Sequence, residues 1–186
     1  MTMAHIPRQI LDELRDVLDQ TDPRQGELFV QLLLAAKRIF VCGQGRSGLM
    51  MKAFAMRLMH LGFTAFVVGE TTVPSIQGGD LLVVGSSSGE TATSVCIAGL
   101  AKKAGATVIA LTGHPDSTLA RLAHAVVVLP VRNIDATHSH TRSNSQPLGS
   151  LAEQSLLIYL DAIVVRLMTE TAQTAEAMRA RHANLE

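Results

Sequence analysis

Two short stretches carry residue types that can grip an anion: Gly43-Gln44-Gly45-Arg46-Ser47-Gly48 and Gly85-Ser86-Ser87-Ser88-Gly89-Glu90-Thr91. Each follows an apolar, β-type run, Ile39-Phe40-Val41-Cys42 and Leu81-Leu82-Val83-Val84, and each opens a helical pattern. A strand that ends in a small, hydroxyl-rich loop at a helix N-terminus turns free backbone N–H groups and the positive end of a dipole toward whatever sits there. Two such loops in one small domain point to a phosphorylated ligand. The three consecutive serines point to a phosphate held by hydroxyls.

Other groupings compete for attention. Gly43-x-Gly45-x-x-Gly48 matches the dinucleotide fingerprint, and Glu70 lies about where a ribose-binding acid would be expected. That reading leaves the serine loop unexplained, and no separate substrate domain follows. His138-Ser139-His140 has a metal-like spacing, but no Cys or paired acid accompanies it, so it reads as loop and no metal is expected. Cys42 and Cys96 form no motif and read as buried free thiols. Ser87 and Glu90 stand at Ser-x-x-Glu spacing, which suits a capping box, and a carboxylate beside a phosphate is otherwise repulsive.

The elements that must position these residues follow from periodicity. Among 186 residues, 47% are apolar and only 3% aromatic, which favours a helix-rich α/β protein in a single domain, 1–186. Ile6, Ile10, Leu14, Val17 and Leu18 share a helical face, and Asp22-Pro23 starts a second helix, so residues 1–37 form an N-terminal helical pair. In the core, 38–170, apolar strands at 39–42, 64–68, 81–84, 107–111 and 125–129 alternate with helices at 47–60 and 91–103. Strands apolar on both faces imply a parallel sheet covered on both sides. The fold expected is a three-layer α/β/α with a five-stranded parallel sheet. Residues 130–149 read as a polar loop, a long helix starts near Ser150, and 171–186 are a weak helix and tail.

Sixteen basic and sixteen acidic residues balance, leaving no basic footprint for nucleic acid. The N-terminus lacks the apolar core of a signal peptide, and the run Leu156 to Val165, broken by Asp161, is too short for a bilayer. A cytoplasmic protein with no membrane partner is expected. The helical pair and the last helix offer more apolar surface than five strands can cover, which points to a homo-oligomer.

The loops Gly-x-Gly-Arg-Ser-Gly and Ser-x-Ser-Gly-Glu-Thr resemble those of the sugar isomerase (SIS) domain family, which binds phosphosugars. The likeness runs through Lys52–Gly62, Val68-Gly69-Glu70-Thr71, Pro147–Gln154, Leu160–Val164 and the tail Arg181–Glu186, covering nearly the whole chain. It is closest to the branch that converts a 3-ketohexose 6-phosphate to the 2-ketose. The resemblance implies isomerisation of D-arabino-hex-3-ulose 6-phosphate to D-fructose 6-phosphate, with no redox cofactor or metal, in a tetramer. It places substrate on Gly45, Arg46, Ser47, Ser86, Ser87, Ser88, Gly89, Glu90 and Thr91, the phosphate mainly on Ser86 to Thr91 and the sugar on Ser47. Glu153, in the first turn of the last long helix, matches the catalytic glutamate, although acids are favoured there by the dipole alone. His182 and His60 are the candidate proton shuttles. The helix ending at His60 runs away from its own ligand face, so His60 can act only at an adjacent subunit's site. Arg46 can pair with the phosphate or with Glu153. One departure is visible, because the family usually has glycine at Ser87; a positive φ there would cost about 1–2 kcal/mol. The alternatives are an isomerase of a pentose 5-phosphate and a non-catalytic phosphosugar sensor, the latter disfavoured by the lack of any helix-turn-helix segment.

Overall fold

The apolar runs become the strands β1 (Ile39–Gly43), β2 (Ala65–Val67), β3 (Leu81–Gly85), β4 (Thr107–Thr112) and β5 (Ala125–Val128) in a computed structural model that describes residues 3–131 and 145–185. All neighbours are parallel, in the order β2-β1-β3-β4-β5. Side chains alternate between two cores as the pleat requires. Ile39, Val41, Leu81, Val83, Ile109, Leu111 and Val127 face one layer, while Phe40, Cys42, Leu82, Val84, Val108 and Ala110 face the other. The first layer holds α1 (Ile6–Asp19), α2 (Pro23–Ala35), α3 (Gly45–His60) and α6 (Ser150–Glu170); the second holds α4 (Ala92–Lys103) and α5 (Thr118–Leu122). The three-layer α/β/α fold with five parallel strands is therefore the one expected.

Local chemistry sets the boundaries. Asp22 caps α2 by accepting from the Arg24 N–H at 2.9 Å, with Pro23 at the first helical position. Gly62 ends α3 with φ +93, a left-handed stop. Arg38 Nε donates to buried Asp80 at 2.9 Å, tying the starts of β1 and β3 together.

Five details depart from the sequence reading. α3 begins at Gly45 instead of Ser47, and β2 keeps only three residues. The five-residue α5 was not anticipated; Ser117 Oγ caps it from the Ala120 N–H at 3.3 Å. The terminal helix, α7 (Ala175–Ala180), is shorter than the stretch read as helical. Cys42 is buried, its thiol pushed up to about 11 by burial, but Cys96 is exposed on α4, so the buried-thiol reading holds for one of the two. None of the described helices is long and apolar enough to cross a membrane.

Candidate active site

The strand order reverses direction between β1 and β3, and such a switch point opens a crevice at the carboxyl ends of the strands. The register pairs Gly43 with Gly85, so both small-residue loops leave the sheet side by side. Gly43, Gly48 and Gly85 serve close packing, whereas Gly45 has open space around it and a φ of +56. A Cβ on Gly48 would lie 2.7 Å from the Gly43 carbonyl oxygen, and one on Gly85 would meet Met51 Sδ at 2.8 Å. The spacing that resembles a dinucleotide fingerprint thus lets α3 approach β1. Glu70 is engaged elsewhere, 2.8 Å from Lys52 Nζ on the surface.

The second loop is wired internally. Ser86 Oγ and Thr91 Oγ1 share a hydrogen bond of 3.2 Å, and Ser86 Oγ also accepts from the Gly89 N–H. Ser88 Oγ accepts from the Glu90 N–H at 3.2 Å. Thr91 is the N-cap of α4, but its side chain makes no capping bond, so the first-turn amides of α4 face the crevice end of the helix uncapped. Gly89 has φ +64, and a Cβ there would collide with Ser117 Oγ at 2.1 Å.

The capping box expected of Ser87 and Glu90 does not form. Glu90 Oε1 instead accepts from the Thr118 N–H at 2.7 Å, which holds the Glu90 carboxyl below the usual carboxylate range. The acid thus braces the serine loop against the start of α5. Ser87 carries no strain, because among the described residues only Leu148 and Ala172 combine a side chain with positive φ. Its carbonyl accepts from the Gly113 N–H at 2.9 Å and from Thr112 Oγ1 at 3.1 Å.

A small cleft opens between the loops and α6, lined by Ser47, Ser87, Thr112, Gly113, Ala152 and Leu156 among others. Glu153 stands in the first turn of α6, its amide bonded to the Gly149 carbonyl at 3.0 Å. Arg46 Nε lies 2.7 Å from Glu153 Oε2. The contact is Coulombic: the geometry is not that of a hydrogen bond, and this buried oxygen lacks one among the described residues. The Glu153 side chain is 15% exposed and Arg46 56%. Of the two pairings open to Arg46, the structure shows the one with Glu153. Thr112 and Gly113 escaped the sequence reading; their place at the end of a parallel strand was the signal that could have found them.

The two histidines come together, but not with Glu153. A rise of 1.5 Å per residue along α3 places His60 roughly 22 Å from the loop at Gly45. There the buried His60 ring stacks on His182, centroids 5.2 Å apart and planes 19° from parallel. Arg57 Nη1 lies 3.4 Å from His60 Nδ1, and Arg181 Nη1 donates to the His60 carbonyl at 3.0 Å. Burial lowers the His60 pKa, and the charges of His182 and Arg57 lower it further. His138 and His140 lie outside the described residues. Among those residues no group of three or more potential metal ligands occurs.

Residues 32–158 match the SIS domain model. The 3-hexulose-6-phosphate isomerase of Mycobacterium gastri is 45% identical over 95% of this chain and 88% of its own. That of Bacillus subtilis is 39% identical over 96% of each. Among solved structures, a Methanococcus jannaschii protein superposes with a TM-score of 0.81 at 31% identity, over 99% of this chain and 98% of its own; its structure was reported to infer a molecular function of 3-hexulose-6-phosphate isomerase. With the two loops at the switch point and a family match over most of its length, the chain belongs to the SIS domain family.

Proposed function

We propose that the chain interconverts D-arabino-hex-3-ulose 6-phosphate and D-fructose 6-phosphate through a 2,3-enediol, with Glu153 as the base. The observation that carries this is the Glu153 carboxylate held against Arg46 of the first loop, next to a cleft that Ser47 and Ser87 of the two loops and Ala152 of α6 line. The M. gastri and B. subtilis relatives support the substrate, being named for it. No cofactor is required by this chemistry.

A proton must leave C2 of the 3-ketose and arrive at C3 while the carbonyl moves from C3 to C2. The Ser86–Thr91 loop and the uncapped start of α4 hold the phosphate, fixing which carbons face Glu153. Gly45, Ser47, Ser87, Ser88 and Gly89 complete the contacts to substrate. Arg46 lies against the Glu153 carboxylate and orients it. Glu90 acts on the loop through α5. His182, exposed and backed by the buried His60 ring, moves the proton between the two oxygens at an adjacent subunit's cleft, since its own is roughly a helix length away. The assembly is a homo-oligomer, by family habit a tetramer, and exposed Leu49, Met56 and Met59 on α3 suit its interface.

Proton NMR of fructose 6-phosphate in deuterated water tests the reaction. Loss of the C3 proton signal in the wild type, absent in Glu153→Gln, is expected. Exchange at C1 would mean another isomerase on this scaffold. Binding without any exchange would mean a sensor.

A further inference from the structure

The turn that leads into α6 is held by a residue from the other end of the chain. Glu13, on α1, spends both carboxylate oxygens on it: Oε1 accepts from the Ser145 N–H at 2.7 Å and Oε2 from Gln146 Nε2 at 3.0 Å. Gln9 Nε2 adds a longer bond to Oε1, at 3.4 Å. Gln146 is buried, so its link to Glu13 is shielded from water. A carboxylate is the acceptor suited to two adjacent N–H donors from another segment.

The backbone just beyond Gln146 needs holding. Leu148 sits at φ +53 with its side chain fully exposed, so no packing offsets the left-handed backbone. Such a conformation costs about 1–2 kcal/mol and persists only where its surroundings impose it. On one side the turn is bounded by the Glu13 clamp. On the other it is bounded by the first turn of α6, where the Ser150 N–H donates to Pro147 and the Glu153 N–H to Gly149. The carboxylate of Glu153 itself rests on this turn, for a Cβ on Gly149 would lie 3.2 Å from Glu153 Oε1. Helix α1 also packs on α6, so clamp and helix share one support.

We infer that Glu13 is a positioning residue for the isomerisation, fixing through the 145–149 turn the seat from which Glu153 reaches the substrate carbons. This rests on the reading of Glu153 as the base. Glu13 has no hydrogen bond to either phosphate loop among the described residues, so its loss has a particular signature: turnover falls while the grip on phosphate stays. A base displaced by a fraction of an ångström loses rate steeply.

The test compares wild type with Glu13→Ala, Glu13→Gln, Glu153→Gln and, as a control on the same helix, Asp12→Ala, whose only ion pair among the described residues is an exposed one to Arg15. The readouts are kcat, KM and competitive inhibition by inorganic phosphate, taken well below each variant's melting temperature. Glu13→Ala should lower kcat about tenfold or more and leave the phosphate inhibition constant within about twofold. Glu13→Gln should recover most of the loss, since its amide oxygen still accepts from Ser145 and Gln146 can turn its own oxygen toward the new NH2. Should Glu13→Ala not fold, Gln146→Met removes one of the two bonds at similar volume and carries the same expectation. Wild-type kcat in Glu13→Ala with a dead Glu153→Gln would overturn the inference alone, as would equal losses in Asp12→Ala or a parallel rise in the phosphate constant. Turnover surviving in Glu153→Gln would overturn the underlying reading, and with it this one.

Discussion

Replacing Gly89 with alanine tests whether the serine loop and α5 are one mechanical unit. Two costs add. The φ of +64 is left-handed, which charges a side chain about 1–2 kcal/mol. The new Cβ would also meet Ser117 Oγ at 2.1 Å and Ser117 Cβ at 2.4 Å, so Ser117 must move by more than a bond's flexibility allows while keeping its cap on α5. Loss of such a cap costs about 0.5–2 kcal/mol, giving a total of about 1.5–4 kcal/mol. The partition is separable with Ser117→Gly, which removes the obstacle and the cap together. In that background Gly89→Ala should cost only the backbone share. Urea unfolding of the four proteins measures the coupling, which should be sub-additive by about 0.5–2 kcal/mol. Additivity within roughly 0.5 kcal/mol would refute the reasoning, because it would mean that the loop relaxes without touching α5.

Ser87→Gly should raise KM for the phosphosugar by about three- to tenfold at unchanged kcat, the worth of one hydrogen bond, since the serine lines the cleft without strain. Removing Arg38 should lower the melting temperature and flatten its acid dependence. The hydrogen bonds from Arg38 hold the Asp80 carboxyl below its ordinary value, so the stability it contributes is present above about pH 4 and lost as pH falls through the folded value. For His60, burial, His182 and Arg57 favour the neutral ring. The fold therefore gains from it above about pH 6.5 and loses that gain as pH drops through the lowered pKa. Amide protection of residues 175–180 should fall between neutral and mildly acid pH, and His60→Gln should abolish the change.

The sheet was legible because its strands bury both faces, leaving continuous apolar runs such as Leu81 to Val84 that only a covered parallel sheet explains. The two loops were legible for the same local reason: strand, small residues and helix start lie consecutively in the chain. The features that escaped are non-local. Glu90 looked like a partner for its own helix, and the choice of the Thr118 N–H instead depends on a short helix that owes its cap to Ser117 and gives no periodic signal in five residues. The stack of His60 on His182 joins residues far apart in the chain, and no spacing announces it. Arg46 meets Glu153 only because of where α6 is placed, and no spacing in the chain announces that contact.

The length of α3 governs how the rate scales with the amount of protein. One chain carries the phosphate loops at one end of this helix and the paired imidazoles at the other, roughly 22 Å apart. With the imidazoles serving a neighbour's cleft, as proposed, a lone chain owns two unfinished halves belonging to different catalytic centres. Turnover per chain should fall on dilution, and the initial rate should climb toward the square of concentration once subunits separate. Mixing chains that lack Glu153 with chains that lack His182, each inert alone, should restore activity, because in a mixed pair one crevice receives both an intact carboxylate and an intact imidazole.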